Sequence, residues 1–150
     1  MANELEAYPD PFINYRFRVE IKGLESLGFS KMSQLENETE VETYSEGGVN
    51  DYSHKFPSTT SYSNITLEHG LGVDDLIYDW REKVISGDVM GALKSGTIKL
   101  YKNNEVIDMW HFQGAWPVKL TISELDANSS GDVLIESVEL SIENFERVKK

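Results

Sequence analysis

From Ile13 to Lys22 the chain alternates, with Tyr15, Phe17, Val19 and Ile21 on one side and Arg16, Arg18, Glu20 and Lys22 on the other. This is the two-residue period of a half-buried β-strand. Pro9 and Pro11 precede it and cannot donate ladder hydrogen bonds, so Tyr8 to Phe12 reads as the end of an extended N-terminal arm over residues 1–12. Gly23 ends the strand. A weaker strand is expected over Gly28 to Ser33, and a third over Glu36 to Tyr44. In the third, Glu36, Glu38, Glu40 and Glu42 share one face, and Thr39, Val41 and Thr43 share the other. A strand from Tyr62 to Glu68 follows, with Ile65 and Leu67 on one side and Gly70 and Gly72 closing it.

The period then changes. Val73, Leu76, Ile77, Trp80 and Val84 recur at helical spacing behind Asp74 and Asp75, acids that the macrodipole favours in a first turn, and Gly87 stops the helix. On that helix Asp79, Arg81, Glu82 and Lys83 are expected to face away from the core. A hairpin follows, from Thr97 to Tyr101 and from Glu105 to Phe112 around Lys102-Asn103-Asn104. Gly114-Ala115-Trp116-Pro117 should bend the chain into a further strand, Val118 to Ile122, before a turn at Asp126 to Asp132. A last strand, Val133 to Phe145, places Leu134, Val138, Leu140 and Ile142 inward and Ser137, Glu139, Ser141 and Glu143 outward. No repeat, linker or low-complexity tract interrupts this order. The pattern predicts a single, mainly β, antiparallel domain over residues 1–150 with one helix.

Ser45 to Thr60 stands apart. It holds Gly47-Gly48, Asn50-Asp51 and Pro57-Ser58, a density of turn formers that predicts a long loop or a mobile hairpin. Structureless loops beyond about 12–15 residues are uncommon in compact domains unless they have a function, so this segment is a candidate for binding or assembly.

Composition narrows the possible chemistry. The 150 residues include 26 Asp and Glu against 14 Lys and Arg, a formal charge of −12, which disfavours nucleic-acid recognition and anionic membranes. With no cysteine, thiol nucleophiles, thiolate metal sites and disulfides are excluded. Met1 to Pro9 carries no apolar run, so no secretory signal is expected, and no stretch of 18 apolar residues predicts a membrane span. His54, His69 and His111 lack metal-ligand spacing, the serine-rich stretches lack a nucleophile-elbow setting, and Gly47-Gly48 is not followed by a phosphate-loop pattern. No catalytic, cofactor or metal residues are therefore expected. The four glutamates from 36 to 42 lie about 6.6 Å apart on one side of a strand and repel one another unless wet, either as a solvated outer face or as the lining of an aqueous channel. Trp110 and Trp116, flanking Phe112, read as core or inter-subunit anchors.

Taken in order, several motifs resemble the T4-like phage tail-tube family, which includes inner-tube proteins of tailocins and extracellular contractile injection systems. The resemblance runs from about Asp10 to Phe145. It is carried by Asp10-Pro11-Phe12 before Tyr15-Arg16-Phe17 and Val19-Glu20-Ile21, then by Gly28-Phe29. Glu40-Val41-Glu42, Tyr44, Glu46-Gly47-Gly48, Asn50-Asp51 and His54-Lys55 continue it, followed by Asn64-Ile65-Thr66-Leu67 and Gly70. Trp80, Ala115-Trp116-Pro117-Val118-Lys119 and Leu125-Asp126-Ala127 complete it. Gln34, Ser45 and Glu68-His69 depart from the usual pattern, where Gly, Arg and a basic pair are common.

The resemblance implies a fold similar to the hemolysin-coregulated proteins of type VI secretion, a small antiparallel β-barrel or sandwich with a flanking helix. It further implies six copies in a ring whose sheets join into one inner barrel. Such rings stack into a hollow tube that delivers DNA or protein cargo. The implied partners are a contractile sheath outside, a spike or baseplate hub at one end and a terminator at the other, without sequence-specific nucleic-acid binding or membrane anchoring. Synthesis in a bacterial cytoplasm and assembly into a virion tail or injection particle are implied as well. On this reading Tyr44, Glu46, Gly47, Gly48, Val49, Asn50, Asp51, His54, Lys55 and Phe56 form an inter-ring stacking loop. Glu36, Glu38, Glu40 and Glu42 face the lumen, and Phe17, Trp80, Trp110, Phe112, Trp116 and Pro117 anchor core or subunit contacts. The competing reading is a stand-alone β-sandwich module that binds carbohydrate or protein.

Overall fold

The computed structural model describes residues 16–45, 47–48, 53–72, 74–128 and 131–148. Its strands are β1 (Arg16–Ile21), β2 (Lys31–Met32), β3 (Asn37–Tyr44), β4 (His54–Tyr62) and β5 (Ile65–Gly70), followed after the helices by β6 (Lys94–Lys102), β7 (Glu105–Ile122), β8 (Ile135–Ser141) and β9 (Asn144–Arg147). The helices are α1 (Leu76–Ile85) and α2 (Val89–Ala92). All strand pairs are antiparallel. The main sheet runs β1-β6-β7-β8-β5-β2 with β9 also on β7, while β3 and β4 pair only with each other. This path is open, with β1 and β2 at its ends. The expected arm at 1–12 and the start of the first strand, Ile13 to Tyr15, lie outside the described residues.

The centre of the fold is β7. Its first half pairs with β6 on one side and β9 on the other, and its second half pairs with β8. Gly114 sits at the join. On the β6 side Gln113 and Gly114 oppose the single residue Ser95, and Gly114 takes φ +64, the bulge in which a left-handed glycine bends a strand. The bend expected at 114–117 is therefore a kink inside one continuous strand. Pro117, which lacks an N–H, is accommodated beside a second irregularity between Pro117 and Lys119. Strands β8 and β9 follow β7 in a single register across the gap, where the Glu143 N–H donates to Gln113 O at 2.9 Å. The single last strand expected from the sequence is thus two strands interrupted at Ile142 and Glu143.

The kink turns the two halves of the sheet onto one core. Val19, Ile21, Ile98 and Phe112 meet Ile65, Leu67, Val138 and Leu140, all buried. Gly96 makes room for Phe112, since a Cβ there would overlap its ring. Asn103 and Asn104, with φ 51 and 65, form the two-residue turn between β6 and β7 that a primed hairpin turn requires. One polar pair lies within the core. His69 on β5 shares a 2.6 Å hydrogen bond with Glu136 on β8, and Phe29 sets its ring edge-on to His69 at 5.6 Å.

Helix α1 packs Ile77 and Trp80 into the core, with Leu76 and Val84 at its margin. Asp79, Glu82 and Lys83 are exposed as expected, but Arg81 is half-buried and donates to the Pro117 carbonyl at 3.3 Å. The sequence reading expected one helix and missed α2. Four residues are too few for a periodic signal, and α2 is held by Asp88 accepting from Gly91 N at 3.0 Å and by the Trp80 indole donating to Ala92 O at 2.6 Å.

Replacing Gly114 with alanine forces a side chain into the left-handed region and onto the Cβ of Glu143. The expected cost is about 2 kcal/mol or more in urea unfolding. Gly28→Ala, where open space surrounds the site, should change stability by less than about 0.5 kcal/mol.

Candidate assembly surfaces

The segment expected as a long loop or a mobile hairpin is largely a hairpin. Strand β4 begins at His54, so only its tip lies between the strands, and Glu46, Val49, Asn50 and Asp51 fall outside the described residues. Lys31 pairs with Glu68 and Asn37 with Tyr62, which is one register with a break at residues 33–36. Across the break Ser33 N donates to Thr66 O at 2.9 Å and Ser63 N to Glu36 O at 3.0 Å. Strands β2 and β3 against β4 and β5 are therefore one two-stranded ribbon that leaves the sheet through β5. The break explains why the expected strands at 28–33 and 62–68 have different ends in the structure.

Every residue of β3 is exposed. Tyr62, opposite Asn37, meets Phe145 edge-on at 5.2 Å, which marks that side of the ribbon as the one facing the molecule's body. Thr39 and Thr60 share that side, their hydroxyls 2.8 Å apart, as do Val41 opposite Pro57 and Thr43 opposite Lys55. Glu38 opposite Ser61 and Glu42 opposite Phe56 lie on the other side. Glu36 accepts from Gln34 at 2.7 Å and from Ser63 at 3.3 Å, and Glu42 accepts from Ser58 at 3.2 Å. The four predicted glutamates are exposed throughout. Towards the tip this side ends in aromatics, with Tyr44 stacked on His54 at 6.5 Å and tilted against Phe56 at 6.4 Å. Of the expected stacking residues, Tyr44, His54 and Phe56 therefore share the acidic side, Lys55 takes the opposite one, and Gly47 and Gly48 are exposed at the tip.

The expected anchors divide by depth. Trp80, Phe112 and Pro117 are buried, whereas Phe17, Trp110 and Trp116 are half-buried. Trp110 and Phe17 pack against the core cluster. The histidines are scattered, with His69 in its pair with Glu136 and His111 Nδ1 3.3 Å from the Thr97 hydroxyl. Among the described residues no three His, Asp or Glu side chains come together as metal ligands, and no helix is long and apolar enough to cross a membrane.

Two features escaped the sequence reading. Asp108, buried, takes a bidentate grip from Arg147, Nε to Oδ1 at 3.0 Å and Nη2 to Oδ2 at 2.5 Å, and this contact raises the Arg147 guanidinium above its ordinary value. Only the pairing of β7 with β9 brings them together. Glu136 was legible in part, because it falls on the inward parity of Leu134, Val138 and Leu140.

The family model "T4-like virus tail tube protein gp19" matches residues 13–146. Among solved structures, a chain of the PVC extracellular contractile injection system's sheath–tube complex in its extended state is 27% identical, over 100% of this chain and 99% of that one, with TM-score 0.78. A chain of the six-fold symmetrised anti-feeding prophage baseplate is 22% identical over 94% and 97%, with TM-score 0.78. Hcp1 from Flavobacterium johnsoniae is 22% identical over 87% and 93%, with TM-score 0.50. No curated protein matches the sequence.

The Tyr62–Phe145 contact ties the ribbon to the body. Tyr62→Ala should cost about 1 kcal/mol of global stability while sharply accelerating amide exchange along β4. Unchanged exchange in β4 would show that the ladder alone holds the ribbon.

Proposed function

The chain belongs to the T4-like virus tail tube protein family, and on that footing we propose that it is the structural inner-tube subunit of a contractile phage tail or phage-tail-like injection system. In this reading residues 1–150 form one tube domain, and six copies close a ring. Rings stack into a hollow tube within a contractile sheath, between a baseplate hub and a terminator. The protein is made in a bacterial cytoplasm, assembles into the particle and carries structure instead of catalysis.

The observation that carries this reading is the ribbon. It runs out of the main sheet across the break at residues 33–36, exposes all of β3 and turns its glutamates away from the body. A ribbon with so little contact to its own chain gains its burial from neighbours. The main sheet is open, so strands added at its ends continue the ladder around a ring. The acidic side, with Glu36, Glu38, Glu40 and Glu42, lines the lumen. Six copies at −12 carry about −72 per ring, a wall that keeps DNA or acidic cargo sliding instead of adhering. The hairpin from Tyr44 to Phe56 stacks one ring on the next, and Phe17, Trp110 and Trp116 supply contact at subunit boundaries.

Purified protein should show hexameric rings or tubes by negative-stain microscopy and native mass spectrometry; a monomer at every concentration would overturn the assignment. Glu38→Lys with Glu40→Lys should yield tubes that retain added DNA through salt washes that strip it from the unaltered tubes. Equal retention would remove these glutamates from the lumen.

A further inference from the structure

The two ends of the ribbon's sheet differ in a complementary way. At the projecting end, the body-facing side beyond Tyr62 carries Val41, 62% exposed, opposite Pro57, and next to them Lys55 opposite Thr43. Lys55 is the only Lys or Arg between Lys31 and Arg81. At the far end, where Gly70 pairs with Ile135, lie Leu71, 42% exposed, and Val133, 74% exposed. Leu71 N donates to Leu134 O at 2.9 Å, which continues the ladder past Gly70 and puts Leu71 on the face of Leu134, whereas Val133 Cγ1 lies beside Gly70 on the other, outer face. Next to it an open groove of about 400 Å³ is lined by Val133 together with Glu124 and Asp126.

We propose that the body-facing side of the ribbon docks on the far end of the same sheet in a second copy of this chain, in the next ring. Val41 and Pro57 cover Val133, and Lys55 enters the acidic rim formed by Glu124 and Asp126. This proposal rests on the stacked-tube reading and identifies the surface that receives the ribbon. A second copy fits because apolar meets apolar and the cation of the ribbon's projecting part meets carboxylates, in a chain whose net charge otherwise repels itself. The two surfaces are different patches at opposite ends of one sheet. The contact is therefore head-to-tail and repeats without closing, as a filament requires. It also leaves the glutamates on the opposite side of the ribbon wet.

The chain has no cysteine, so introduced thiols report without background. Val41→Cys and Val133→Cys replace exposed side chains, and a short bismaleimide should link them between subunits in tubes of the double variant, giving a ladder on denaturing gels. Tubes that form without cross-links between positions 41 and 133 would overturn the docking site while leaving the tube reading intact. Failure of the unaltered protein to form tubes would instead overturn that reading and this one with it. A second measurement is independent of thiols: Lys55→Glu should reduce the fraction of protein sedimenting as tubes at least fivefold, and adding Glu124→Lys and Asp126→Lys should restore it. Unreduced assembly by Lys55→Glu, or no restoration, would refute the charge pairing.

Discussion

Strand β7 has to serve two sheet halves at once, and a regular strand cannot, because its pleat would carry both halves off in one plane. The bulge at Gly114 resolves this by letting two residues of β7 oppose one of β6 while, across Gly114, the register on the β8 and β9 side is unchanged. The sheet folds at that point, and Phe112, just before the kink, fills the angle over Gly96. Trp80 and Ile77 close the remaining side from α1. Pro117, just beyond the kink, offers its carbonyl to Arg81, so the helix is fastened to the same corner.

This corner also sets the direction of the ribbon. Strand β8 takes its place from the second half of β7, β5 takes its place from β8, and the ribbon is the continuation of β5. Its base is secured by Tyr62 on Phe145, a residue of β9, which is held by the first half of β7. Beyond that contact the ribbon depends on its own ladder. Isolated two-stranded ribbons are marginal in water, and elements with few buried contacts are the first to open. Among the described residues, the ribbon beyond that contact is therefore the first to open.

What the sequence revealed follows the range of the interactions involved. Strand β1 and helix α1 were legible because period alone decides which side of them is buried, and the alternation of Phe17, Val19 and Ile21 needs no partner to be seen. The ribbon was only half legible: Gly47-Gly48 and Pro57-Ser58 signalled turns, and they concealed β4, whose bulge between Thr39 and Val41 accommodates Pro57. The continuity of β7 was hidden for a similar reason, since Gly114 and Pro117 normally punctuate a strand and here lie at irregularities within one. Pairings such as Asp108 with Arg147 and His69 with Glu136 join residues 39 and 67 apart, and only the tertiary register creates them. The glutamate side of the ribbon was legible as a stripe, but its orientation required Tyr62 to mark the opposite side.

Charge then constrains which side of the ribbon can meet another molecule. Neighbouring same-side glutamates about 6.6 Å apart repel by only about 0.6 kcal/mol in water, and salt reduces this further. Removing that face from water raises the cost in two ways, because the repulsion grows as the dielectric falls and each carboxylate loses its hydration. A contact that covered Glu38, Glu40 and Glu42 would need a matching row of cations, and the stretch from Met32 to Ser53 contains none. A second copy presenting the same ribbon cannot supply them. The acidic side is therefore kept open to water by the same sequence that makes it acidic, and burial in an assembly of identical chains falls to the side carrying Val41, Pro57 and Lys55.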